Sequence, residues 1–116
     1  MELAGNSQNK ETPSLKFDHS VIVHFSKYLS EELDDLHNLE LKLIKLIGDS
    51  GIGTYDGHEI AMDDTDGTLY MYGTNAESLF KLVLPILQET DFLKGAIATL
   101  RFGSYNEEAS EIDLEI

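Results

Sequence analysis

At 116 residues the chain has the length of one domain, and 41% hydrophobic residues suffice to bury a core without staples. Twenty-two Asp and Glu against eight Lys and Arg give a formal charge of −14, a field that repels polyanions and disfavours nucleic acid and anionic membranes as partners. Cysteine is absent, which removes disulfides and thiolate metal ligands, and no apolar run approaches the roughly 20 residues of a membrane span.

The N-terminal MELAGNSQNKETP carries neither the basic start nor the apolar run of a signal peptide. It reads instead as a disordered leader, residues 1–13, ahead of a single domain over 14–116, and the expected setting is cytoplasmic. From Leu15 to Phe25 the pattern is extended. Leu15, Phe17, His19, Val21, Val23 and Phe25 share one parity, Ile22 and His24 the other, and Ser20 to Phe25 is the firmest part.

A helix follows. Ser30 is placed to cap it, Glu31, Glu32, Asp34 and Asp35 crowd its positive end, and Gly48 is a natural terminator after Lys42 and Lys45. At ~100° per residue, Leu33, Leu36, Leu39, Leu43, Ile44, Leu46 and Ile47 fall in one stripe. The next strand, Thr54 to Met62, is interrupted by Gly57, which signals a bulge or an edge position. Asp63 to Gly67 is turn chemistry, and Thr68 to Tyr72 is a strand with Leu69 and Met71 on one side and Thr68, Tyr70 and Tyr72 on the other.

Thr74 and Glu77 have the spacing of a capping box and open a second helix, with Ala76, Leu79, Phe80, Leu82, Val83, Ile86 and Leu87 as its core stripe. Pro85 falls on the polar side, where it bends the helix without spoiling the packing face. Ala96 to Phe102 alternates as a strand, with Ile97, Thr99 and Arg101 outward. The tail Glu111 to Ile116, EIDLEI, alternates strictly and reads either as an extra strand pairing back on it or as a solvated acidic tail. The order β-α-β-β-α-β with right-handed crossovers is the ferredoxin-like arrangement, an α+β two-layer sandwich with both helices on one face of an antiparallel sheet. Its first and third strands lie in the middle, and the extra strand extends the sheet beyond the fourth.

The runs DGHEI at 56–60, Tyr72-Gly73, AESLF at 76–80, Pro85 and LRFG at 100–103 together resemble a group of small bacterial proteins with a DG-x-E-I strand, a YG, an A-x-x-L-F and a later R-[FY]-G. The likeness covers roughly residues 50–103 and departs at the acidic Asp63-Asp64-Thr65-Asp66. It implies the ferredoxin-like fold and assigns no activity and no catalytic residue.

Four features could carry chemistry. The oxygens of Asp63 to Asp66 suit a hard cation, but aligning Gly67 with the glycine of a calcium loop puts Met62 and Gly73 at ligand positions, so a plain hairpin turn is expected. The uncovered sheet face carries Ile22, His24, Tyr70, Tyr72, Ile97, Thr99 and Arg101. Aromatic residues on such a sheet can stack RNA bases, yet one Arg within a −14 chain argues against that, and Tyr, Ile and Arg together suit a protein contact. Glu40 falls within the apolar stripe of the first helix and must pair or escape to the edge.

The histidines, His19, His24, His37 and His58, show no helical i, i+4 pair and no metalloprotease motif, and His58 and Glu59 point apart on a strand. No catalytic residue, cofactor or metal is expected. The functional expectation is a non-enzymatic protein-interaction module, self-associating or binding a protein partner through the open sheet face. Two alternatives stand beside it. One is an acidic immunity- or inhibitor-type protein that neutralises a basic partner. The other is a small-ligand or enzymatic domain with a cleft near the 56–66 hairpin, using Glu40, His58 and Glu59.

Overall fold

Five antiparallel strands form one sheet and two helices pack against it in a computed structural model that describes residues 17–26, 33–61, 66–103 and 109–116. In chain order these are β1 (His19–Ser26), α1 (Leu33–Ser50), β2 (Gly53–Ile60), β3 (Asp66–Gly73), α2 (Ala76–Gln88), a short 3₁₀ turn (Asp91–Leu93), β4 (Ile97–Phe102) and β5 (Ser110–Glu115). The strand order is β2-β3-β1-β4-β5. The tail is therefore a strand, paired with β4 from Phe102 opposite Ser110 to Ile97 opposite Glu115. With it the sheet exceeds the four strands of a simple ferredoxin-like sandwich.

Alternation decides what each strand buries. Val21, opposite Met71 and Leu100, and Val23, opposite Leu69 and Ala98, place apolar side chains from three adjacent strands on one face. Leu36, Leu39, Leu43 and Ile47 of α1 and Leu79, Val83 and Leu87 of α2 cover that face and complete the core. Each fully buried aliphatic side chain contributes about 1.5–3 kcal/mol, so the sheet cannot slip by one residue without exposing the set. α1 lies over β2, whereas α2 lies over β1, β3 and β4. Two glycines permit the close contacts: a Cβ at Gly53 would overlap the Tyr72 carbonyl oxygen, and one at Gly67 would overlap the Phe25 ring.

Several boundaries differ from the expectation. α1 runs through Gly48 to Ser50, and the left-handed terminator is Gly51, at φ 74°. Extending the helix lets Ser50 Oγ donate to the Ile47 carbonyl. Ile44 is not part of the core stripe; it is 51% exposed, because four residues, Leu36, Leu39, Leu43 and Ile47, already fill the contact line. α2 is capped by Asn75 and not by Thr74: the Asn75 side chain accepts from Ser78 N, while Thr74 N is used in a backbone bond to Ile52 O. His19 Nδ1 accepts from Ala76 N and satisfies a second free donor of the same helix end. The leader, Ser30, the Leu33 side chain and residues 62–65 of the acidic turn lie outside what is described.

Candidate functional site

The face opposite the helices holds the seven residues singled out from the sequence, and the register brings them together. Ile22 stands opposite Tyr70 and Thr99, His24 opposite Thr68 and Ile97, and Ser20 opposite Tyr72 and Arg101. Ile97 is 38% exposed, and Ile22, Tyr70, Tyr72, Thr99 and Arg101 are half-buried by one another. Tyr70, Tyr72, Ile22, Thr99 and Arg101 line a shallow depression of about 250 Å³.

Their polar tips are anchored sideways to acidic residues of the outer strands. Tyr70 Oη donates to Glu59 Oε1 at 2.5 Å, Thr99 Oγ1 to Asp113 Oδ1 at 2.7 Å, and Arg101 Nη1 to Glu111 Oε2 at 2.7 Å. His24 Nδ1 and Thr68 Oγ1 are 3.3 Å apart. The bond to Glu59, followed by burial, raises the Tyr70 phenol above its usual value; burial, followed by the charge of Asp56, does the same for Tyr72. Both hydroxyls therefore remain neutral donors on an apolar strip bordered by carboxylates.

The sequence did not reveal those lateral partners. Glu59 reads as a candidate for the hairpin cleft and not as a partner of Tyr70, while Glu111 and Asp113 carry no assigned role. The signal that could have found the last two is strand parity: once the tail is a strand opposite β4, Glu111 must share the face of Arg101, and Asp113 that of Thr99.

A second cluster sits on the helix side of β2. The ladder between β2 and β3 shifts register between Tyr55 and Gly57, with Gly57 at φ 107°. Three positions apart, Tyr55 and His58 would normally point to opposite faces; the extra residue of the bulge returns both to the side of α1. There Glu40 Oε2 accepts from Tyr55 Oη at 2.6 Å and lies 2.6 Å from His58 Nδ1, which must carry the proton because an ionised carboxylate only accepts. The Glu40 side chain is 15% exposed and that of His58 33%. Burial first, then the bond and charge of Glu40, push the Tyr55 phenol far above its ordinary value. Glu40 thus pairs within the domain.

This cluster does not form the expected cleft. Glu59 turns to the open face while His58 turns to α1 and meets Glu40 there, so the sheet separates Glu59 from the other two. The depression beside the hairpin, about 430 Å³, is lined by His24, Glu59, Ile60, Asp66, Gly67 and Thr68 and includes neither Glu40 nor His58. Among the described residues no three His, Asp or Glu are grouped to hold a metal ion, and no helix is long and apolar enough to cross a membrane.

A third feature had no counterpart in the sequence reading. Beyond α2 the helix layer ends before the sheet does, leaving an apolar groove of about 450 Å³ lined by Phe80, Leu84, Leu100, Phe102, Ile112 and Leu114, with Glu77 and Lys81 at its rim. Ile112 is 47% and Leu114 37% exposed within it. Comparison of the chain with protein-family models, with curated proteins and with solved structures returned no match.

Proposed function

We propose that the protein is a non-enzymatic interaction module that engages a protein partner through its open sheet face. The observation that carries the reading is the strip Ile22, Tyr70, Tyr72 and Ile97, uncovered by either helix, beside which the Tyr70 and Thr99 hydroxyls and the Arg101 guanidinium are held by neighbouring carboxylates. Tyr, Ile and Arg are interface-enriched types, and side chains already anchored lose little further freedom on binding. The ferredoxin-like assignment, with β5 as an appended strand, and a cytoplasmic setting belong to the same proposal; the strand order β2-β3-β1-β4 supports the former. The non-enzymatic part is supported by Glu40, whose carboxylate is engaged by Tyr55 and His58 away from the surface depressions.

Between self-association and a basic partner, the border of the face favours the latter. Glu59 stands on one flank and Glu111, Asp113 and Glu115 on the other, and two copies packed face to face would bring like charges together within a total of −14 each. Tyr72→Glu is the test, read by retention of a partner in matched pull-downs and by solution mass. It is expected to abolish retention with the circular dichroism unchanged. Unchanged mass and unchanged retention in a folded Tyr72→Glu protein would overturn the reading, and binding that ignores added salt would remove the basic-partner version of it.

A further inference from the structure

β5 is an edge whose two faces differ in chemistry. In an antiparallel ladder, residues that bond the neighbour alternate with residues whose backbone groups point away. Ile116 N donates to Ala96 O at 2.8 Å, which places Ile116, Leu114, Ile112 and Ser110 as the inward-bonding positions. The N–H and C=O of Glu111, Asp113 and Glu115 then point outward, where among the described residues no further strand pairs. The same three side chains form a carboxylate row on the open face. Ile112 and Leu114 form an apolar row along the groove beside α2. Among the described residues the strand offers an unpaired backbone ladder, an acidic row on one side and an apolar row on the other.

We propose that this edge takes an extended peptide strand in which basic and apolar residues alternate, added as a sixth strand beside β5. Main-chain bonds to Glu111, Asp113 and Glu115 set its position. Its basic side chains lie against the three carboxylates, each of which keeps an oxygen beyond any bond to Thr99 or Arg101. Its apolar side chains continue the row of Ile112 and Leu114 into the groove. A second copy of the chain is the wrong occupant: pairing β5 antiparallel with itself sets six carboxylates side by side on one face, and acidic edges of this kind suppress edge-to-edge self-pairing. Two strands, β1 and β4, lie between this edge and the strand of Tyr72, and the site stands without the open-face reading.

The experiment uses the full chain and three capped hexapeptides: Lys-Val-Lys-Val-Lys-Val, the block Lys-Lys-Lys-Val-Val-Val, and Glu-Val-Glu-Val-Glu-Val. The alternating basic peptide is expected to bind and to slow exchange of the Glu111, Asp113 and Glu115 amide protons, with affinity falling as salt rises. Asp113→Pro removes one outward donor and one charge while leaving the inward ladder intact, and is expected to weaken binding about tenfold, the equivalent of one lost hydrogen bond. Tyr72→Glu is expected to leave peptide binding unchanged, which separates this proposal from the preceding one. Three results would overturn it: no binding, equal binding of the block peptide without amide protection, or protection that arises without peptide in a species of doubled mass. Should Asp113→Pro fail to fold, the amide protection in the unaltered chain decides the matter.

Discussion

At the β2 edge the backbone is bulged between Tyr55 and Gly57 and Glu40 of α1 holds Tyr55 and His58 from above; at the β5 edge six residues run in unbroken register and neither helix lies over them. Among the described residues both strands have one unpaired side, yet the liability is handled differently. A bulge twists the β2 edge and spoils its match to any incoming strand, while the helix clamp fixes it. β5 relies on charge alone, with Glu111, Asp113 and Glu115 along it. Charge repels another acidic edge but attracts a basic one, so the bulge works against strand pairing in general, whereas under the proposal above the acidic row works only against acidic strands.

The contrast breaks most readily at Gly53. Gly53→Ala drives a Cβ into the Tyr72 carbonyl oxygen, with Gly73 Cα and Leu79 Cδ1 both 3.3 Å away, so backbone must move. We expect a loss of about 3 kcal/mol in urea denaturation, at the upper end for overpacking. Glu115→Ala at the other edge is expected to change stability by no more than about 0.5 kcal/mol, as for an exposed position. Equal costs at the two sites would show that the β2 edge is not the tightly built one.

Glu40→Leu tests the clamp itself. It leaves the half-buried Tyr55 hydroxyl and the His58 N–H without their acceptor, at an expected cost of about 2 kcal/mol. Glu40→Gln keeps an amide oxygen to accept and should cost less than half as much. A Glu40→Leu protein as stable as the parent would mean that the bulge alone holds β2 in place.

Much of this architecture was legible because it follows from periodicity. The parity of Val21, Val23 and Phe25 and the spacing of Leu36, Leu39 and Leu43 each dictate a face that is buried, and the alternation of EIDLEI dictates a strand with two distinct faces, although Glu111 to Glu115 stay exposed. Gly57 marked the bulge. What stayed hidden depends on which residues meet across the fold. Glu40 was conspicuous inside an apolar stripe, but its partners come from 15 and 18 residues further on, and only the register shift at Gly57 puts both on its side. Thr74 has the better capping-box spacing, yet its amide is committed to Ile52, and Asn75 takes the cap. The groove beside α2 arises from a count of layers, two helices over five strands, which no single segment encodes.

The gentlest test of the contrast lies at alkaline pH, because the clamp contains a half-buried phenol and the β5 strand contains none. An unfolded tyrosine loses its proton near pH 10, whereas burial and then Glu40 keep the Tyr55 phenol protonated well above that in the folded chain. Above pH ~10 the unfolded state therefore binds fewer protons than the native state, and stability falls as pH rises. The contribution is whole below pH ~10 and is lost on the way up to the folded-state value, with a slope for this one group of at most about 1.4 kcal/mol per pH unit. Tyr55→Phe removes the phenol and should flatten the alkaline limb by that amount, leaving the smaller part due to Tyr70 and Tyr72. Glu40→Leu should leave the limb as steep just above pH ~10, since burial is the larger cause, but end it at a lower pH. If Tyr55→Phe shows the parental slope, water reaches the phenol in the native state and the β2 edge is as open as the β5 edge.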